Sequence, residues 1–194
     1  MAIAASRYTV DDLDLARQEF GVAHIEIDPW GNLIVTPATD PHERAIAALH
    51  GQLLRQLGLP GDCVLSQGLP WRVPGGSGYT NVPDLMVIDP RTVRVEEWHL
   101  SPPPLLVVEM ASPSTRVVDR SRKLDDYRLG GAVAYLLIDL PGLTRAERPT
   151  ADLHHFASPA MSGTGLTGLV DVTLGSRHAT VALDALAASQ RRET

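Results

Sequence analysis

Two carboxylates stand where the chain's apolar pattern calls for something else, and a lysine follows them on a helix. Asp84 opens the run in VPDLMVI, Glu109 closes the run in LLVVEM, and Lys123 follows on the next predicted helix. An ionised carboxylate in a buried strand is costly unless a cation, hydrogen-bond donors or a water-filled cleft attends it. Two acids near one another and a divalent ion meet that need. Hard oxygen ligands suit magnesium, which takes one or two carboxylates and keeps several waters. Asp119, Lys123 and Tyr127 follow at i, i+4 and i+8 and share one helix face. The short ASPST connection turns that helix back toward its strand, bringing Lys123 within reach of Glu109. An ammonium beside metal-binding carboxylates steadies a water nucleophile or the charge developing on phosphate.

Each of these residues also has a plainer reading. Asp after Pro often satisfies nearby backbone donors at a strand start. Glu109 fits equally an ion-paired structural acid, and Lys123 a solvated helix residue paired with Asp119 or Asp126. Other candidates are weaker. His154 and His155 are adjacent in a predicted strand and point to opposite faces. Glu43 reads as a capping-box residue, Glu96 and Glu97 as a solvated loop, Ser112 and Ser114 as turn and cap residues. No nucleophile-elbow pattern surrounds either serine, and GGSG lacks the lysine and helix of a phosphate-binding loop.

The elements that must position the three residues read as mixed α/β. A helix is predicted from Thr9 to Phe20 and a hairpin over His24–Asp28 and Asn32–Thr36, around a Pro-Trp-Gly turn. DPHERAIAALHGQLLRQLG reads as a long helix, with Asp40 as cap, Pro41 in the first turn and Gly58 as stop. DCVLSQGLPWRV is a predicted strand, PGGSGYTNVP a loop, and VPDLMVIDP a buried strand. A connection over Arg91–Pro104 leads to a strand from Leu105 to Met110, then a helix from about Arg116 to Leu129. AVAYLLIDL is another buried strand. Strands near Ala151–Ala157 and Leu169–Leu174 and a final strand or helix near Ala179–Ala188 complete the pattern.

The 194 residues suit one domain spanning residues 1–194, with no evident linker or repeat. A single cysteine, Cys63, excludes an intrachain disulfide framework and a cysteine-based zinc site. No apolar run approaches the roughly 20 residues that span a bilayer, so no membrane role and a cytoplasmic location are expected. The net charge of −6 argues against a broadly basic nucleic-acid surface, although metal-binding acids themselves push the total negative.

The order Glu-x-x-Ser-Pro-Ser-Thr, Asp-x-x-x-Lys-x-x-x-Tyr, Gly, then YLLID is specific. With YTVDDLDLARQ, the hairpin and long helix, and VPDLMVI, it resembles the Uma family of restriction-endonuclease-like proteins, within the PD-(D/E)XK nuclease superfamily. The resemblance implies a restriction-endonuclease-like core, a curved mixed sheet flanked by helices. It implies that Asp84 and Glu109 bind Mg2+, with Mn2+ as substitute, and that DNA is the substrate. The superfamily's lysine usually follows the second acid by two residues. Ala111 stands there, and the resemblance points instead to Lys123. Glu26 resembles a further acidic site residue. His42 matches a common histidine to which no role attaches. The family's Glu and Trp in GVxEYW are replaced by Ala134 and Leu136. Cleavage of both duplex strands suits a homodimer. A different class, a catalytically inactive nuclease-fold module for nucleic-acid or protein binding, is the alternative. A hydrolase of small phosphate-bearing substrates is the third.

Overall fold

The computed structural model describes residues 8–20, 23–37, 39–57, 63–72, 80–94, 100–112, 115–140 and 148–191. The expected helix stop at Gly58, most of the PGGSGYTNVP loop, Glu96, Glu97 and Ser114 lie outside the described residues.

Helix α1 (Val10–Phe20) is followed by a hairpin of β1 (Ala23–Ile27) and β2 (Leu33–Pro37). These elements share a small core of Leu13, Ala16, Ile25 and Ile27. Asp28 builds the hairpin turn: its Oδ1 accepts the Trp30 and Asn32 amides at 2.9 and 2.8 Å. Gly31 supplies the left-handed φ of 82° that the turn requires. Helix α2 (Asp40–Leu57) buries Ile46, Leu49, Leu53 and Leu57 along one stripe. The Thr39 carbonyl accepts the Glu43 amide at 3.0 Å, so Thr39 takes the capping position expected of Asp40.

Then come β3 (Val64–Gln67), β4 (Leu85–Ile88), β5 (Val93–Arg94), β6 (Leu100–Ser101) and β7 (Leu106–Ala111). The predicted strand over DCVLSQGLPWRV is shorter in the fold. It ends at Gln67, and Trp71 makes only an isolated bridge to Asn81. Gly68 and Pro70 interrupt the ladder between them. Strands β5 and β6 fall inside the predicted connection. Two residues are too few to show a period in the sequence.

After β7 the helical segment is not uniform. It begins as α3 (Arg116–Val118), widens into a π-helical turn at Asp119–Lys123 and resumes as α4 (Leu124–Leu129). Strands β8 (Ala134–Asp139), β9 (Thr150–His155), β10 (Gly163–Leu166), β11 (Leu169–Leu174) and β12 (Arg177–Ala182) follow, then helix α5 (Leu183–Ser189). The ambiguous Ala179–Ala188 segment is thus both strand and helix, changing at Leu183.

Six strands form one mixed sheet in the order β10-β9-β8-β7-β4-β3. Only β7 and β8 within it are parallel, and the helical segment after β7 is the crossover that a parallel pair needs. Leu106, Val108, Met110, Ala134, Leu136 and Ile138 face a large apolar core shared with α2, α5, β11 and β12. Alternate residues Val107, Tyr135 and Leu137 face a smaller cluster with Trp71, Met86 and Tyr127. Helix α2 also seals strand β12. Gln52 accepts the Ala182 amide at 2.8 Å and donates to its carbonyl at 3.3 Å, and Gln56 treats Thr180 in the same way. Among the described residues no helix is long and apolar enough to cross a membrane.

Candidate active site

The alternation along β7 sends Glu109 to the smaller-core face, under the helical segment. Asp84 lies immediately before β4 and in phase with Met86, on that same face. Arg116 and Arg120 fasten the helical segment to Asp139 at the end of β8, at 2.8 and 3.2 Å. The parallel crossover therefore lays Asp119 and Lys123 over the end of β7. Glu26 arrives from β1, held by the Val82 amide, which donates to its Oε1 at 2.9 Å.

Glu26, Asp84, Glu109 and Lys123 all line one cavity of about 440 Å³. The structure thus brings together all four residues singled out from the sequence. They are 8, 6, 4 and 5 % exposed, so their charges must be answered inside the protein. Lys123 Nζ sits 2.9 Å from Glu109 Oε1, 3.0 Å from Glu26 Oε1 and 3.6 Å from Asp119 Oδ1. Lys123 is therefore buried and ion-paired, not the solvated residue of the plainer reading. Asp126 pairs instead with Arg122, at 3.1 Å.

Burial pushes the Glu109 carboxyl well above its usual range. Lys123 opposes that push, and the charges of Asp84, Asp119 and Glu26 add to it. Asp119 is raised in the same way, chiefly by burial. Burial disfavours the Lys123 ammonium, but Glu109, Glu26 and Asp119 more than offset it and hold the group charged. Asp84 behaves differently. Burial works against its charge, yet the His42 ring at 3.2 Å and the Met110 amide at 2.7 Å hold it below the usual range. The Met110 contact also ties Asp84 to the residue next to Glu109.

Sequence reasoning gave His42 no role, and the structure sets it against Asp84. It also missed a buried cluster at the rim. Asn81 donates to Asp126 at 3.1 Å, and Arg122 donates to both at 3.1 Å. Nothing in the spacing of Asn81 and Asp126 marks them, because they meet only in the folded chain. Ala134 and Leu136 lie on the large apolar face, so the departure from GVxEYW falls away from the acids.

Four lining carboxylates, Glu26, Asp84, Glu109 and Asp119, stand against the permanent cations Lys123 and Arg122. Asp119 Oδ1 is buried and accepts no hydrogen bond among the described residues. This surplus of hard anionic oxygens is the donor chemistry that a divalent cation takes. Among the described residues no three His, Cys, Asp or Glu side chains are grouped closely enough to hold an ion by themselves. Magnesium commonly takes only one or two carboxylates and completes its shell with waters.

The Uma2 family, described as "Putative restriction endonuclease", matches residues 14–160. The chain belongs to this family. No curated protein matches it. Its fold is similar to a crystal structure of a "putative nuclease belonging to DUF820" from Anabaena variabilis ATCC 29413. That match has a TM-score of 0.57 at 15 % identity, over 86 % of this chain and 91 % of that one. The matched span contains all four cavity-lining residues singled out from the sequence, Glu26, Asp84, Glu109 and Lys123. The mixed central sheet flanked by helices is thus a nuclease-like fold, as the resemblance implied.

Proposed function

We propose that this Uma2-family chain is a metal-dependent endonuclease that hydrolyses DNA phosphodiester bonds. The observation that carries the reading is the convergence of Asp84, Glu109, Glu26 and Lys123 on one cavity, in a chain of a nuclease-like family. Asp84 and Glu109 would hold one or two Mg2+ ions, with Mn2+ as a substitute. The chemistry supplied there would be Lewis-acid polarisation of a phosphoryl oxygen and a lowered water pKa, which makes a hydroxide nucleophile available near neutral pH. His42 and the Met110 amide keep Asp84 ionised and oriented. Lys123 faces the cavity from between Glu109 and Glu26, where its charge offsets the charge that builds on phosphate. Glu26 holds the ammonium in place. Two copies related by a two-fold axis suit cleavage of both strands.

The test is purified protein incubated with supercoiled plasmid and circular single-stranded DNA, with Mg2+ or EDTA. Cleavage that needs Mg2+ and falls to background in Asp84→Ala supports the mechanism. Cleavage that persists in Asp84→Ala removes it. One observation favours the inactive-module reading: Lys123 already neutralises Glu109 from inside the acidic cluster. That reading requires that neither Mg2+ nor Mn2+ raise the melting temperature of the wild type.

A further inference from the structure

Glu109 is held from behind by a residue that does not line the cavity. The Tyr127 hydroxyl donates to Glu109 Oε1, the same oxygen that Lys123 contacts. The other oxygen, Oε2, accepts no hydrogen bond among the described residues, and Glu109 lines the cavity. One carboxylate oxygen is thus clamped by two donors and the other is left over.

Tyr127 is itself tightly seated. It is fully buried, stacked on Trp71 with centroids 5.7 Å apart and planes 9° apart, and it meets the edge of Tyr135 at 5.1 Å. Gly130 makes room for this stack. A Cβ there would come within 2.7 Å of the Trp71 ring. The π turn supplies the alignment. In a straight α-helix, residues eight apart drift by about 80° around the axis. The π turn at Asp119–Lys123 takes more residues per turn and cancels part of that drift. Asp119, Lys123 and Tyr127 are thereby all buried toward the sheet, and Lys123 and Tyr127 converge on a single oxygen of Glu109.

We infer that Tyr127 is a positioning residue: with Lys123 it clamps Oε1 of Glu109 and thereby presents Oε2 to the cavity as a cation ligand. The inference rests on the metal-dependent reading above. Partners that orient a ligand in this way typically change metal affinity about 10–100-fold when removed. Tyr135 provides the control. It belongs to the same stack, but its hydroxyl donates to the Asp119 carbonyl at 3.1 Å and not to Glu109.

The experiment is calorimetric titration of the full chain with Mn2+, comparing wild type, Tyr127→Phe, Tyr135→Phe and Gly130→Ala. Each variant's metal-free melting temperature is measured alongside. The expected result is at least about a tenfold loss of Mn2+ affinity in Tyr127→Phe and little loss in Tyr135→Phe. Gly130→Ala, which displaces the Trp71 ring without removing a polar group, should lose affinity by a smaller factor. It tests the same stack should Tyr127→Phe not fold. Equal affinity in wild type and Tyr127→Phe overturns the inference and leaves the metal site standing. Equal losses in Tyr127→Phe and Tyr135→Phe also overturn it, since that marks a general loosening of the core. If Tyr127→Phe does not fold, unchanged affinity in Gly130→Ala overturns it. Wild type that takes up no Mn2+ overturns both the inference and the reading beneath it.

Discussion

On one side of β7, Leu106, Val108 and Met110 enter an apolar cluster with Leu49, Leu53 and Leu136. On the other side Val107 is followed by Glu109, which meets Lys123 and Tyr127. Both residues are buried, Val108 at 0 % and Glu109 at 4 % exposure. The first side is stabilised by removing apolar area from water, a non-directional gain that tolerates exchange among similar shapes. The second is held by charges in a place where each must have its partner, so its parts are not interchangeable. The comparison teaches that burial alone does not separate scaffold from site. What separates them is whether the buried group needs a named partner.

Breaking one charge should therefore cost more than breaking one packing contact. Lys123→Met leaves Glu109 and Glu26 without their shared cation and should destabilise the protein by about 3–5 kcal/mol in urea titrations. Part of that loss should return in Lys123→Met/Glu109→Gln, which removes the orphaned charge. No recovery in the double variant would mean that the acids were not the source of the loss. Leu136→Ala on the opposite face should cost about 3 kcal/mol by opening a cavity. Its cost should be the same with and without Mg2+, and a metal-dependent cost would erase the distinction between the two faces. Gln52→Ala should cost about 1–3 kcal/mol, because the Ala182 amide and carbonyl lose their partner. Hydrogen exchange should accelerate at Ala182 in that variant and not in β7.

The smallest effect is one of pH. Burial disfavours the charged His42 ring, but its hydrogen bond to Asp84 and the Asp84 charge prevail, and its pKa is raised above 6.5. Asp84 is correspondingly lowered below 3.8. A raised histidine contributes stability that is complete below 6.5 and lost as pH rises through its folded value. A lowered carboxyl contributes above 3.8 and loses that contribution as pH falls. The pair therefore stabilises the metal-free protein from about pH 3.8 up to the raised folded value of His42, above 6.5. Thermal melts in metal-free buffer should decline above pH 6.5 for wild type and flatten in His42→Asn. An identical decline in both would assign it elsewhere.

Most of the central strands, and the acids that interrupt two of them, were legible in the sequence alone. β7, β8, β11 and the hairpin were legible because a period of two, or a dense apolar run between turn residues, is written locally. Asp84 and Glu109 stood out for the same local reason, a charge in an apolar run, whereas Lys123 stood out by its helical spacing from Asp119 and Tyr127 and by the family resemblance. Other features were decided only by tertiary structure. The π turn lies in a helical segment tied to β8 by Arg116 and Arg120 and to β7 by Lys123, and nothing in the residue spacing announces it. Asn81, Asp126 and His42 acquire partners 45 and 42 residues distant, beyond the range of any helix or strand period. The two-residue strands β5 and β6 pair with each other and are too short to show a period in the sequence. Hydrophobic pattern acts along the chain, and so it can be read there. Charge satisfaction acts through space, and only the packed sheet and its crossover helix decided which partner each buried charge would find.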